Sequence, residues 1–133
     1  MWGMFERGSG ELAVRMGILM VKLTPEHSIA VMPVAGNTQP LGLVHGGAYC
    51  VLGESLGSFS ANLHAAELGC YAVGIDINAT HTGSATSGYV TGECRAIKLG
   101  RSLTVHEIVV SDETGVRCST VRITNLVRRR RES

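Results

Sequence analysis

The 133-residue sequence lacks an excess of either charge, with 12 Lys and Arg against 11 Asp and Glu. No whole-chain field therefore argues for nucleic acid or an acidic surface as a partner. A long apolar run is also missing. The N-terminal stretch carries Glu6, Arg7, Glu11 and Arg15, so it holds neither a signal-peptide core nor a membrane span; a cytoplasmic location with no membrane partner is the default expectation. The four cysteines, Cys50, Cys70, Cys94 and Cys118, are scattered singly with no C-x-x-C pair. That argues against a metal site and for reduced structural thiols. No internal repeat occurs, and the one biased segment is the basic run Arg128 to Arg131. It reads as a solvated or disordered tail over 128–133, with a phosphate-binding arm as the alternative. The remainder, 1–127, is one domain by length, and 44% hydrophobic residues are enough to build its core.

The most informative scarcity is local. Between Glu26 and Glu67 the only Asp, Glu, Lys or Arg is Glu54. It lies in QPLGLVHGGAYCVLGESLGSFSANLHAAELG, Gln39 to Gly69, where a Pro and Gly loop passes through His45-Gly46-Gly47 into about 20 residues without proline. Ala48, Val51, Leu52, Ser55, Leu56, Phe59 and Leu63 recur at three- and four-residue steps and mark one apolar stripe. Glu54 falls on a second face with Gly47, Cys50, Ser58 and Ala61. A solvated face would carry several charges, so the expectation is a largely buried helix with one acid kept inside it. Gly53 and Gly57 are expected to leave room beside the helix, enough for an aromatic ring or a medium chain.

Around this helix the pattern is strand-like. Glu11 to Met16 favours a short helix capped by Ser9 or Gly10. Ile18 to Leu23 and Ser28 to Val34 flank the turn Thr24-Pro25-Glu26-His27, with Pro33 marking either an edge strand or the point where the chain leaves the sheet. Ala35 to Val44 is a loop. Beyond Gly69 the period changes to two through Tyr71–His81, Gly88–Leu99, Arg101–Ser111 and, after the turn at Asp112 to Gly115, Val116–Val127. Short connections leave no room for crossover helices, so about six mostly antiparallel strands must curve around the helix in an α+β fold. One sheet leaves part of an uncharged helix uncovered, and a second copy of the chain is the expected cover.

His45-Gly46-Gly47 stands where a loop becomes a helix, and first-turn amides without intrahelical partners can hold a developing negative oxygen. Glu54 can act as a nucleophile or activate water. Eight residues of helix place Gly46 and Glu54 about 12 Å apart along the axis, too far for both to touch one carbonyl. They can meet only across a two-fold axis between antiparallel helices. Taken singly, His45 reads as a turn cap, Glu54 as a structural hydrogen-bonder, Ser58 as a routine helix residue and Gln39 as a loop residue bonded to nearby backbone; their combined order is what carries specificity.

That order, in QPLGLVHGGAYCVLGESLGS, resembles hotdog-fold acyl-CoA thioesterases of the PaaI-like and 4-hydroxybenzoyl-CoA thioesterase type, and the likeness runs from about Glu11 to Val127. The resemblance implies a hotdog fold, with Glu54 as the catalytic carboxylate and the Gly46 amide polarising the thioester carbonyl. It implies that His45 and Gln39 help to hold that carbonyl or the attacking water, and that Ser58 orients water or substrate. The reaction implied is hydrolysis of an acyl- or aryl-thioester of coenzyme A, or of an acyl carrier protein, with no metal or redox cofactor and with coenzyme A only as part of the substrate. Homodimers that pair into homotetramers are the implied assembly. Gly47, INATHTGSATSG with Asn78, His81 and Ser84, and KLGRSL with Lys98, Arg101 and Ser102 fall where such proteins contact the pantetheine arm and nucleotide. Gly83 stands where relatives often have a basic residue, which weakens the phosphate grip unless Lys98, Arg101 or the terminal arginines replace it. Two other hotdog activities compete: a hydratase or dehydratase, whose H-F-P-G-like segment is missing, and a non-catalytic acyl-CoA sensor.

Overall fold

The computed structural model describes residues 8–130; Glu6, Arg7 and Arg131 lie outside the described residues. The chain runs α1 (Glu11–Met16), β1 (Leu19–Lys22), β2 (His27–Pro33), α2 (Gly46–Glu67), β3 (Cys70–His81), β4 (Tyr89–Leu99), β5 (Leu103–Ser111) and β6 (Arg117–Arg129). Six strands form one sheet in the order β1-β2-β4-β5-β6-β3, every neighbouring pair antiparallel. β1 and β3 are thus its edges. β2 is internal, and Pro33 is its last residue, opposite Tyr89, so the missing N–H falls where the strand leaves the ladder.

The strands alternate as their sequence requires. β5 buries Thr104, His106, Ile108 and Val110 on its inner side, and β6 buries Val121, Ile123 and Asn125. Against this surface α2 sets Tyr49, Leu52, Leu56 and Phe59, all buried. Leu52 and Leu56 have no exposed surface. Removing a leucine side chain from water contributes about 2 kcal/mol. Val51 and Leu63, expected in the same stripe, are only half-buried, because the buried face turns toward Tyr49, Ala61 and Ala65.

Two expectations fail here, one for a steric reason and one because strand pairing extends further than the sequence suggests. Gly53 and Gly57 leave no room beside the helix: a β-carbon at Gly53 would lie 2.7 Å from Val121 Cγ1, and one at Gly57 would lie 2.2 Å from Ile123 Cγ2. Their small size lets β6 lie directly on α2. The basic run is likewise not wholly a tail, since Arg128 and Arg129 belong to β6 and pair with Tyr71 and Cys70.

β3 meets the helix at both ends, at Ala72 and at His81, and borders a cleft between them. Asn62 donates to Ala72 O at 3.1 Å and accepts from Ala72 N at 2.9 Å, replacing ladder bonds that an edge strand lacks. A register shift between Gly74 and Asp76 follows; residues 74–77 line that cleft beside Glu54, after which Ile77 and Ala79 pack against the core and His81 reaches the start of α2.

Candidate active site

The start of α2 is built by the loop before it. His45 has extended backbone (φ −63°, ψ 133°), its N–H donates to Asn37 O at 2.8 Å, and its Nδ1 accepts from Gly47 N at 2.9 Å. The imidazole is therefore the N-cap, and it consumes the Gly47 amide. The Gly46 N–H has no partner among the described residues and sits at the positive end of a 22-residue helix. His81, the last residue of β3, closes over this point, because a β-carbon on Gly46 would lie 2.7 Å from its Nε2. Ser119 Oγ, 2.9 Å from His81 Nδ1, and the Tyr49 ring, 5.4 Å away between centroids, hold the imidazole there. Burial pushes the Tyr49 hydroxyl up to about 12, so it stays protonated.

Glu54 is not inside the protomer. It is exposed, and with Gly74, Ile75, Asp76, Ile77 and Ile123 it lines a cleft of about 270 Å³. The sheet covers the Leu52 and Leu56 side of α2, whereas Cys50 and Ser58 are half-buried and Glu54 faces the cleft beside β3. Burial, and after it the charge of Glu54, pushes the Cys50 thiol up. Ser58 is half-buried one turn beyond the acid, and its carbonyl accepts from Asn62 Nδ2 at 2.9 Å.

The other predicted residues divide into two groups. His81 joins Gly46, a contact that sequence spacing does not reveal. Gln39 lies in the loop before α2, its Oε1 accepting from Leu41 N. Asn78 and Ser84 are exposed, on β3 and in the loop after it. Arg101 and Ser102 lie at the opposite end of the protomer, since Gly100 O bonds His64 Nε2 near the C-terminus of α2 and Ser102 O accepts from Val127 N. From Ser119 beside His81 to Val127 beside Ser102, β6 runs roughly 26 Å. Within one chain these two groups cannot touch the same end of a ligand.

A long helix cupped by one curved antiparallel sheet, with an unpartnered amide at the helix start and a lone carboxylate two turns on, defines a hotdog-fold hydrolase. The chain belongs to the thioesterase superfamily, whose family model matches residues 41–119, and it is a thioester hydrolase. It is 45% identical over 113 residues to the proofreading thioesterase EntH of Klebsiella pneumoniae, covering 84% of this chain and 82% of that one. It superposes on a mutant of thioesterase PA1618 from Pseudomonas aeruginosa with a TM-score of 0.86 and 36% identity, covering 94% and 91% of the two chains. Thioesterase HI1161 of Haemophilus influenzae gives a TM-score of 0.84 at 34% identity, covering 92% of this chain and 85% of that one.

Proposed function

We propose that the chain hydrolyses acyl- or aryl-CoA thioesters in a site shared by two protomers, Glu54 coming from one and the Gly46 N–H from the other. The observation that carries this reading is the pair of groups on α2: an amide without a partner at Gly46, and an acid eight residues later on the uncovered face. They are about 12 Å apart along one axis but come level when two such helices run antiparallel and cross near Cys50, midway between them. β3 supports the pairing. It is a 12-residue edge strand with Val73 39% and Ile75 55% exposed, and an unpaired apolar edge of that length invites a second β3 in antiparallel register. A two-fold axis there also carries the Arg101–Ser102 turn of one protomer toward the Gly46 end of the other, where the nucleotide of coenzyme A would lie.

In this arrangement the thioester oxygen takes the Gly46 N–H, with the helix dipole favouring charge on that oxygen. The Glu54 carboxylate either attacks the carbonyl carbon, breaking the C–S bond and leaving a mixed anhydride that water then hydrolyses, or removes a proton from water that attacks the carbonyl carbon and breaks the C–S bond directly. In either route CoA leaves as the thiolate or, after protonation, the thiol, and the acyl group leaves as the free acid. Ser58 orients the water, and His81 fills the side of the oxyanion pocket away from the acid. Acyl carrier protein thioesters enter the same site if the carrier docks where the nucleotide would. The test is thiol release from a panel of acyl- and aroyl-CoAs by the wild-type protein and by Glu54→Ala. Turnover by the wild type and its loss by several hundredfold in the variant are expected; activity in Glu54→Ala within a few-fold of wild type overturns the assignment.

A further inference from the structure

Opposite Gly74, which also borders Glu54, is a buried polar group without a partner among the described residues. Asn125 is 0% exposed, and neither its Oδ1 nor its Nδ2 bonds to any described residue. Buried carboxamides are ordinarily satisfied, because drying both ends without compensation is costly. Parity along β6 does not explain the residue, since Val121 and Ile123 show that the inward positions accept apolar side chains. Asn125 stands opposite Gly74 on β3 and Thr104 on β5, and Thr104 Oγ1 is unpartnered as well.

Gly74 connects this amide with the acid. A β-carbon built there would lie 3.4 Å from Glu54 Oε2 and 3.7 Å from Asn125 Oδ1, so both groups border the space that the missing side chain leaves. A half-turn about χ2 presents the carboxamide N–H to Gly74 in place of the oxygen. The titratable groups facing Glu54 are Cys50 on α2 and Asp76 on β3, whereas β6 contributes only Ile123 and Asn125. Neither neighbour supplies a positive charge. Asp76, if ionised, opposes the charge on Glu54, so a donor on the β6 side has a defined task.

We propose that Asn125 is a positioning residue for the hydrolytic acid: its carboxamide N–H, turned toward the space over Gly74, reaches the Glu54 carboxylate and holds it aimed at the substrate. The role rests on the thioesterase reading above. It also explains Gly74, where any side chain would stand between donor and acceptor.

Asn125→Leu removes the polar atoms at nearly constant volume, and Gly74→Ala places a methyl group in the gap at ordinary contact distances. Both variants and the wild type are compared by thermal unfolding and by kcat, KM and the pH dependence of kcat/KM for an acyl-CoA the wild type cleaves. The expected result for each is a KM within about twofold, a kcat lowered about tenfold, and an acidic limb of kcat/KM moved to higher pH. Asn125→Leu should unfold at or above the wild-type temperature. A merely structural Asn125 would change the unfolding temperature alone, and wild-type kcat with an unmoved acidic limb in Asn125→Leu overturns the proposal. If Asn125→Leu does not fold, Gly74→Ala decides by the same criteria. A wild-type protein that releases no thiol from any acyl-CoA overturns the hydrolase reading itself and this role with it.

Discussion

His81 Nε2 would lie 2.7 Å from a β-carbon on Gly46, so the last residue of β3 rests on the first residue of α2 with no space for a side chain between them. The imidazole cannot easily retreat, because Ser119 holds its Nδ1 at 2.9 Å and the Tyr49 ring packs against it. A methyl group at position 46 must therefore displace either His81 or the helix start. Gly46→Ala is expected to lower kcat/KM by about a hundredfold, the scale of losing one oxyanion donor. Global stability should change by less than about 1 kcal/mol, because Ala is the better helix former. Steady-state kinetics together with urea unfolding separate the two effects.

Sharing of the site between protomers is tested by mixing two inactive proteins. Glu54→Ala keeps the amide pocket and loses the acid. Gly46→Pro loses the amide hydrogen yet suits the first position of a helix, whose N–H has no intrahelical partner. If acid and amide come from different chains, a mixed dimer holds one site with both native residues. Refolding the two variants together in equal amounts should then restore about a quarter of wild-type activity, half of the dimers being mixed and half of their sites intact. A site built within one chain gives no recovery.

The strands, the long helix and the isolated acid are legible in the sequence because each follows from a short-range pattern. Period-two alternation carries β3 to β6, and an uncharged three- and four-residue repeat carries α2. What is not legible depends on the distance between elements. Gly53 and Gly57 look like vacant space until β6 is seen lying on them. Arg101 and His81 read as parts of one ligand site, yet β6 holds them at opposite ends of the protomer. The exposure of Glu54 is equally non-local, since the cleft that it lines is walled by Gly74 to Ile77 and Ile123 on other elements. Asn125 was within reach: alternation through Val121 and Ile123 places it on the inner face, and a polar residue at that parity is the signal.

Gly57 separates helix propensity from packing. In a solvated helix Gly→Ala stabilises by about 1 kcal/mol. Here the added carbon would meet Ile123 Cγ2 at 2.2 Å, and that methyl is fixed to a β-branched carbon on a central strand. Overpacking costs about 1–3 kcal/mol, so the clash should win and Gly57→Ala should be destabilised. Ile123→Ala removes the obstructing methyl at its own cavity cost, and in the double variant the two penalties should sum to less than their separate values. Urea midpoints of the four proteins complete the cycle.

His106 sets a lower limit to the pH range of stability. It is fully buried on β5 and its Nε2 lies 2.8 Å from Pro25 O, while Nδ1 has no partner among the described residues. Desolvation lowers its pKa below the usual 6.5, the Pro25 carbonyl opposes that shift, and nearby His64 adds to it. The sign follows from proton uptake. Between the depressed folded value and the ordinary unfolded one, the unfolded chain binds the extra proton, so stability is complete above about pH 6.5 and falls as pH drops through that window. The slope for one such group is at most about 1.4 kcal/mol per pH unit. His106→Gln keeps a donor for Pro25 O but cannot take up the proton, and it should flatten the dependence of unfolding temperature on pH between about 5 and 7. An equally steep dependence in the variant would assign the acid sensitivity to another group.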